Sequence, residues 1–256
     1  EKTVEREVNF YECFVGALTS PKETFKKLSS SKPRWDFFFI MVVLNSLLLT
    51  GVAYTMFNNL PSMLSDVKGM ESYSEIFSES LETIGTGMSK PVLIAILFIE
   101  YLFLTVISYV ILAGVVHIFA SIFGGKGNFE NIVISYPFAT LPTTLLLVIY
   151  IFAFTSPSGV LIASFLSFIS AIWTLILLTI MIRENHRFST GKAILSWLIP
   201  FAILIIVIFA IFLSIFGNIF WYYTIIVTGL YANFLGIMLS LYLLLLVIKY
   251  IESKKK

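Results

Sequence analysis

The stretch RENHRFSTGKA, residues 183–193, gathers Arg183, Glu184, His186, Arg187 and Lys192 in a chain that is 58% hydrophobic and only 12% charged. Residues of these types can bind a phosphate, activate a nucleophile or ligate a metal, and each chemistry has a spacing that can be checked. A phosphate-cradling loop needs a glycine five residues before its second glycine, and Ser or Thr after its lysine. His186 and Ala193 stand at those positions, so the pair Gly191 and Lys192 misses the pattern twice. Gly124, Gly125, Lys126 and Gly127 also lack the GxGxxG spacing and read as a tight turn. There is no GxSxG, the elbow of a serine hydrolase. His117 and His186 come without HExxH spacing or a companion cysteine, and Cys13, the 1 cysteine, cannot close an internal disulfide. No catalytic, cofactor-binding or metal-ligating set emerges, and the chain is expected not to be an enzyme.

Two ionisable residues, Glu100 and His117, nevertheless fall inside apolar runs. A charge there costs about 2.5–3.5 kcal/mol on insertion scales and so needs a reason. Glu100 is expected either to serve an ion or solute path or to sit near the interface, held by a hydroxyl or water. On one straight helix the two residues are about 25 Å apart and form no dyad.

The elements that carry these residues follow from hydropathy. A mean hydropathy of +0.95 excludes a soluble globular domain. Crossing a bilayer takes about 20 apolar residues. Six runs suffice: 35–57, 91–123, 132–154, 159–182, 194–216 and 219–251. About 34 mostly polar residues precede the first run, which is therefore read as a retained span rather than a secretory signal. The expected fold is an all-α integral membrane protein, a six-span helical bundle with N-terminal interfacial amphipathic helices. Spans two and six are over-long and must tilt, bend or project. Cytoplasmic loops retain Lys and Arg. Alternating sides along the six runs puts all but Lys68 and Lys90 of the 17 Lys and Arg on one face. That face is assigned to the cytoplasm, which gives a multi-pass cell-membrane protein with both termini inside. Residues 183–193 become a cytoplasmic turn whose charge already has a topological explanation. A net charge of +2 gives no reason to expect nucleic acid as a partner.

Three parts follow: a cytoplasmic interfacial segment 1–34, a membrane domain 35–251 with an extracytoplasmic loop 58–90, and a basic tail 252–256. In the first, Phe10, Phe14 and Leu18 recur at four-residue spacing. Ser20, Pro21 and Glu23 then carry the start signal of a second helix. Phe25 and Leu28 are its apolar side, and Lys22, Lys26 and Lys27 suit headgroup level. Two short helices are expected, lying on membrane lipid or packed against the ends of the spans. The loop 58–90 carries apolar residues at steps of three or four and is expected to be largely amphipathic helix, interrupted at Gly69, Gly85 and Gly87. Short connections at 155–158 and 217–218 make spans three and four, and five and six, antiparallel neighbours. Small residues permit close helix approach in lipid. Ser164, Ser167, Ala171 and Thr174 on span four, and Gly229, Ala232, Gly236 and Ser240 on span six, are the expected packing seams.

SPKETFKKL before span one, HIFASIFGGKGNFENIVISYPFATLP between spans two and three, and WTLILLTIMIRENHRFSTGKAI between four and five together resemble the Yip-one domain family of Ypt/Rab-interacting membrane proteins. The matching positions include Pro21 and Phe25, then His117, Gly124, Gly125, Lys126, Gly127, Tyr136 and Pro142, then Trp173, Arg183, His186, Gly191 and Lys192. The family pattern has five spans, so a sixth is a departure, and this chain resembles the prokaryotic-type members. The resemblance implies a membrane adaptor or accessory subunit that binds other membrane proteins, in some cases ABC transporter subunits; a homo-oligomer is a further expected partner. It implies no catalytic residues. Candidate docking positions are Gly124, Gly125, Lys126, Gly127, Arg183, His186, Arg187 and Lys192. The alternative is a small-solute or ion transporter using Glu100.

Overall fold

The computed structural model describes residues 9–65, 72, 74–76, 78–79, 89–214 and 216. The chain divides into two compact units, Glu1–Pro200 and Phe201–Lys256. The first contains the candidate docking residues together with Glu100 and His117 and is described by itself.

Its elements are all α-helical among the described residues. Two short helices, α1 (Phe10–Thr19) and α2 (Pro21–Ser30), precede α3 (Trp35–Ser65) and α4 (Lys90–Ile122). Then come α5 (Phe129–Ala139), α6 (Leu141–Ala153) and α7 (Pro157–His186). A further helix, α8, covers Thr190–Ser214. Among the described residues five helical stretches are long and apolar enough to cross a membrane: α3, α4, α5 with α6, α7 and α8. The expected sixth run, 219–251, and the tail 252–256 lie outside the described residues.

The third stretch is two helices rather than one. Pro142 has no amide hydrogen to give to the turn before it and sits in the first turn of α6. Thr140 takes up the break, with φ −90° and ψ 5°. The first stretch runs on to Ser65, past the expected limit at 57, because hydropathy reports the membrane and not the helix end. Asn58 and Asn59 donate side-chain amides to the Tyr54 and Thr55 carbonyls at 2.7 and 2.8 Å and accompany the extra turns.

The buried core gathers at one end of the unit. In α5 every residue from Asn131 to Ala139 is buried, as expected of a helix enclosed by others. Phe37, Phe38 and Met41 of α3, Ala113 and Ala120 of α4, and Leu177, Met181 and Ile182 of α7 surround it. Cys13 and Ala17 of α1 and Phe25 and Leu28 of α2 belong to the same cluster. Of the two arrangements the sequence permits, these side chains adopt packing on the ends of the spans. Phe10 seals the contact, with ring centroids 5.5 Å from Phe37 and 5.8 Å from Phe138.

The capping box at Ser20 does not form, since Ser20 makes no side-chain cap bond. Its amide closes α1 by donating to the Gly16 carbonyl at 2.8 Å, and it is held at ψ 57°. That lies far from the extended backbone in which a capping hydroxyl reaches the next turn.

Candidate docking site at the basic end of the bundle

The site is built from three helix ends. Helix α4 stops because Gly124 takes φ +84°. There its amide donates to the Ser121 carbonyl at 2.9 Å and the Gly125 amide to the Ala120 carbonyl at 2.9 Å. This is a Schellman stop, in which glycine occupies the left-handed position. The Phe123 carbonyl accepts from Lys192 Nζ at 2.8 Å, which puts a cation at the negative end of the helix dipole.

Helix α7 ends on His186, and the glycine turn closes over it. Consecutive amides of that turn grip the residue: Lys126 donates to the His186 carbonyl at 3.3 Å and Gly127 to His186 Nδ1 at 3.1 Å. An Nδ1 that accepts carries no proton, so the imidazole is held as its Nε2–H tautomer. The ring is 1% exposed. His117 of α4 lies beside it with centroids 5.3 Å apart, and Phe188 lies 5.5 Å away. Glycine is required at two positions of the turn. A Cβ on Gly125 would come 2.7 Å from His186 Cγ and 2.8 Å from the Ala120 carbonyl, and one on Gly127 would come 2.9 Å from the Asn185 carbonyl. The two motifs that the sequence places 59 residues apart from Gly127 to His186 therefore form one interlocked unit.

Arg183 binds Glu184 through Nε at 3.0 Å and Nη2 at 2.7 Å, and its Nη1 lies 3.4 Å from Thr190 Oγ1 across the turn. Arg187 follows His186 in the left-handed region at φ 55°, which costs a non-glycine residue roughly 1–2 kcal/mol. The candidate docking residues thus separate into two groups. Gly124, Gly125, Gly127, His186 and Lys192 hold the helix ends together and Arg183 is tied to Glu184 and Thr190, while Lys126 and Arg187 are exposed on the outside. The alternation of spans already puts His117 and His186 towards the same side, but their sequence spacing gives no sign that the two rings meet.

Buried polar atoms without a hydrogen-bond partner concentrate here: His117 Nδ1, His186 Nε2, Asn185 Oδ1 and Asn131 Oδ1. Among the described residues no group of three His, Cys, Asp or Glu side chains is placed to hold a metal ion.

Glu100 is exposed on α4 together with Ile96, Ile99, Phe103 and Leu104. Its carboxylate lies on the outer surface of the unit, away from His117 and the interlocked turns.

On α7, Ser167 meets the Tyr150 hydroxyl of α6 at 2.6 Å and Thr174 meets Thr143 at 3.0 Å. Ala163 is fully buried between them and the helix start. Ser164 and Ala171 are exposed; the seam against α6 runs through Ala163, Ser167, Ser170 and Thr174, one residue away from the expected stripe at those two positions. Gly229, Ala232, Gly236 and Ser240 lie outside the described residues.

The model of one protein family, the Yip1 domain, matches residues 15–212. No curated protein and no solved structure matches the chain. The matched residues take in α1 from Val15 onward, both motif-bearing turns and α8 as far as residue 212.

Proposed function

Since the chain belongs to the Yip1 domain family, whose members are membrane proteins that interact with other membrane proteins, we propose that it is a non-enzymatic adaptor or accessory subunit. It docks a membrane partner on the interlocked turns at the basic end of the bundle.

The observation that carries this reading is the separation of roles at that end. His186, gripped by the Lys126 and Gly127 amides, fixes the backbone of both turns, and Lys126 and Arg187 project from them exposed. A preformed cationic surface loses little conformational freedom on binding, and arginine is among the residues that dominate interface energetics. The distribution of Lys and Arg supports a cytoplasmic location for this end and a cell-membrane location for the chain. ABC transporter subunits are the partner class the family resemblance favours, with a second copy of the chain as the other. A transport path through Glu100 is the weaker reading, because that side chain stands on the outer surface among exposed apolar residues.

Photo-crosslinking residues placed at 126 and 187 of the full chain in native membranes test the proposal. Adducts with a defined membrane protein, abolished by Lys126→Glu with Arg187→Glu at unchanged melting temperature, are expected. Recovery of uncrosslinked chain alone from both positions would overturn it.

A further inference from the structure

Between α2 and the end of α7 lies a cleft of about 380 Å³ lined by Lys22, Lys26, Arg183, Glu184, Arg187 and Phe188, with Ser29 and Ser30. Its volume falls in the range of small-molecule sites, about 300–1,000 Å³. The charge of the lining is unbalanced. Glu184 is committed to Arg183 through two bonds, at 3.0 and 2.7 Å, and among the described residues no carboxylate forms an ion pair with Lys22, Lys26 or Arg187.

Local structure does not account for the two lysines. Lys22 stands in the first turn of α2, where the positive end of the helix dipole disfavours a cation. Lys26 is four residues further on the same helix, the spacing at which like charges repel. Arg187 reaches the cleft from a left-handed backbone, φ 55°, a conformation that costs energy and must be held by its surroundings. Lys22, Lys26 and Arg187 are all exposed, so none is required to fill the core. A bound anion removes the repulsion among them. Two ammonium groups beside a guanidinium suit a phosphate, which accepts from several donors at once. The cleft sits where α7, a candidate span up to His186, leaves its apolar stretch, and Phe188 supplies an apolar wall.

We propose that this cleft binds a phosphate group, of the chemistry presented by an anionic phospholipid headgroup or by a soluble phosphate. Arg187 is shared with the turns assigned to partner docking, whereas Lys22 and Lys26 lie outside them, so variants of these two lysines test the cleft separately from that assignment.

The full chain in neutral detergent is examined by native mass spectrometry with dioleoylphosphatidic acid against dioleoylphosphatidylcholine, and by thermal shift with inorganic phosphate. The double variant Lys22→Gln, Lys26→Gln is compared with Lys27→Gln, Lys32→Gln, which removes the same charge outside the cleft. Melting temperature without ligand checks folding, and Lys22→Arg, Lys26→Arg is expected to retain binding. The expected result is a preference of wild type and of the control variant for phosphatidic acid that falls about tenfold in the cleft variant, as loss of charge-assisted bonds implies. The same dependence seen only with inorganic phosphate supports the site and identifies its ligand as a soluble one. Equal losses in both Gln variants, or no preference for phosphatidic acid and no phosphate stabilisation in wild type, would overturn the proposal.

Discussion

His186 is a structural pin by virtue of what its two ends accept. Its Nδ1 and its carbonyl oxygen take consecutive amides of the glycine turn, and its ring fills the space left by the absent Cβ of Gly125. His186→Ala leaves a buried amide unpaired and opens a cavity, and is expected to lower stability by about 2–5 kcal/mol. Thermal denaturation in detergent measures this, and a melting temperature within a degree of wild type would contradict the pin. Cys13 follows a simpler rule. Burial, assisted by the neighbouring Glu12 charge, pushes its thiol up from 9.0 to about 11. The folded state therefore favours the neutral thiol, so the associated stability is present below pH 9 and is lost as pH rises towards 11. Maleimide labelling of the folded chain near neutral pH is expected to be far slower than in denaturant; equal rates would place the thiol outside the core.

At the scale of elements, the two short N-terminal helices behave as part of the bundle rather than as a surface attachment. Phe25 and Leu28 are buried against the same cluster as Phe138 and Met181, and Asn131 Nδ2 of α5 donates to the Ser29 carbonyl at 3.0 Å. Phe25→Ala is expected to cost about 3–5 kcal/mol, the range for a large aromatic removed from a packed core. Lys27→Ala on the exposed face should cost less than about 0.5 kcal/mol. Chemical denaturation in mixed micelles compares the two, and similar small losses would mean that α2 is not docked. The sequence contained the apolar stripe of α2, but a stripe is equally satisfied by lipid and by protein. Only the matching surface of α5 and α7 separates the two.

For the first unit as a whole, α7 carries its ends to opposite sides of the candidate span. The turn at 124–128 meets the C-terminal end of α7, whereas Ser156 caps its start through Oγ, which accepts from the Gly159 amide at 3.1 Å. In a Cys13→Ala background, cysteines introduced at Asn128 and Ser189 are expected to label with a membrane-impermeant reagent from the same side, and one at Ser156 from the other. Labelling of Asn128 and Ser189 from opposite sides would refute the arrangement.

What the residues determined unaided is the part governed by local physics. Long apolar runs must be helices in lipid because no water satisfies their backbone. Gly124 stops α4 because only glycine is at ease with φ +84°; Pro142, which has no amide hydrogen, carries a local signal for the break in the third stretch, but hydropathy reads 132–154 as one run. What the tertiary structure alone decided is which faces meet. In lipid the seam and the outer face are both apolar, so hydropathy offers no contrast with which to choose Ala163 and Ser170 over Ser164 and Ala171. His117 and His186 come together for a similar reason: their contact depends on where two helix ends arrive after packing, and neither helix carries that information by itself.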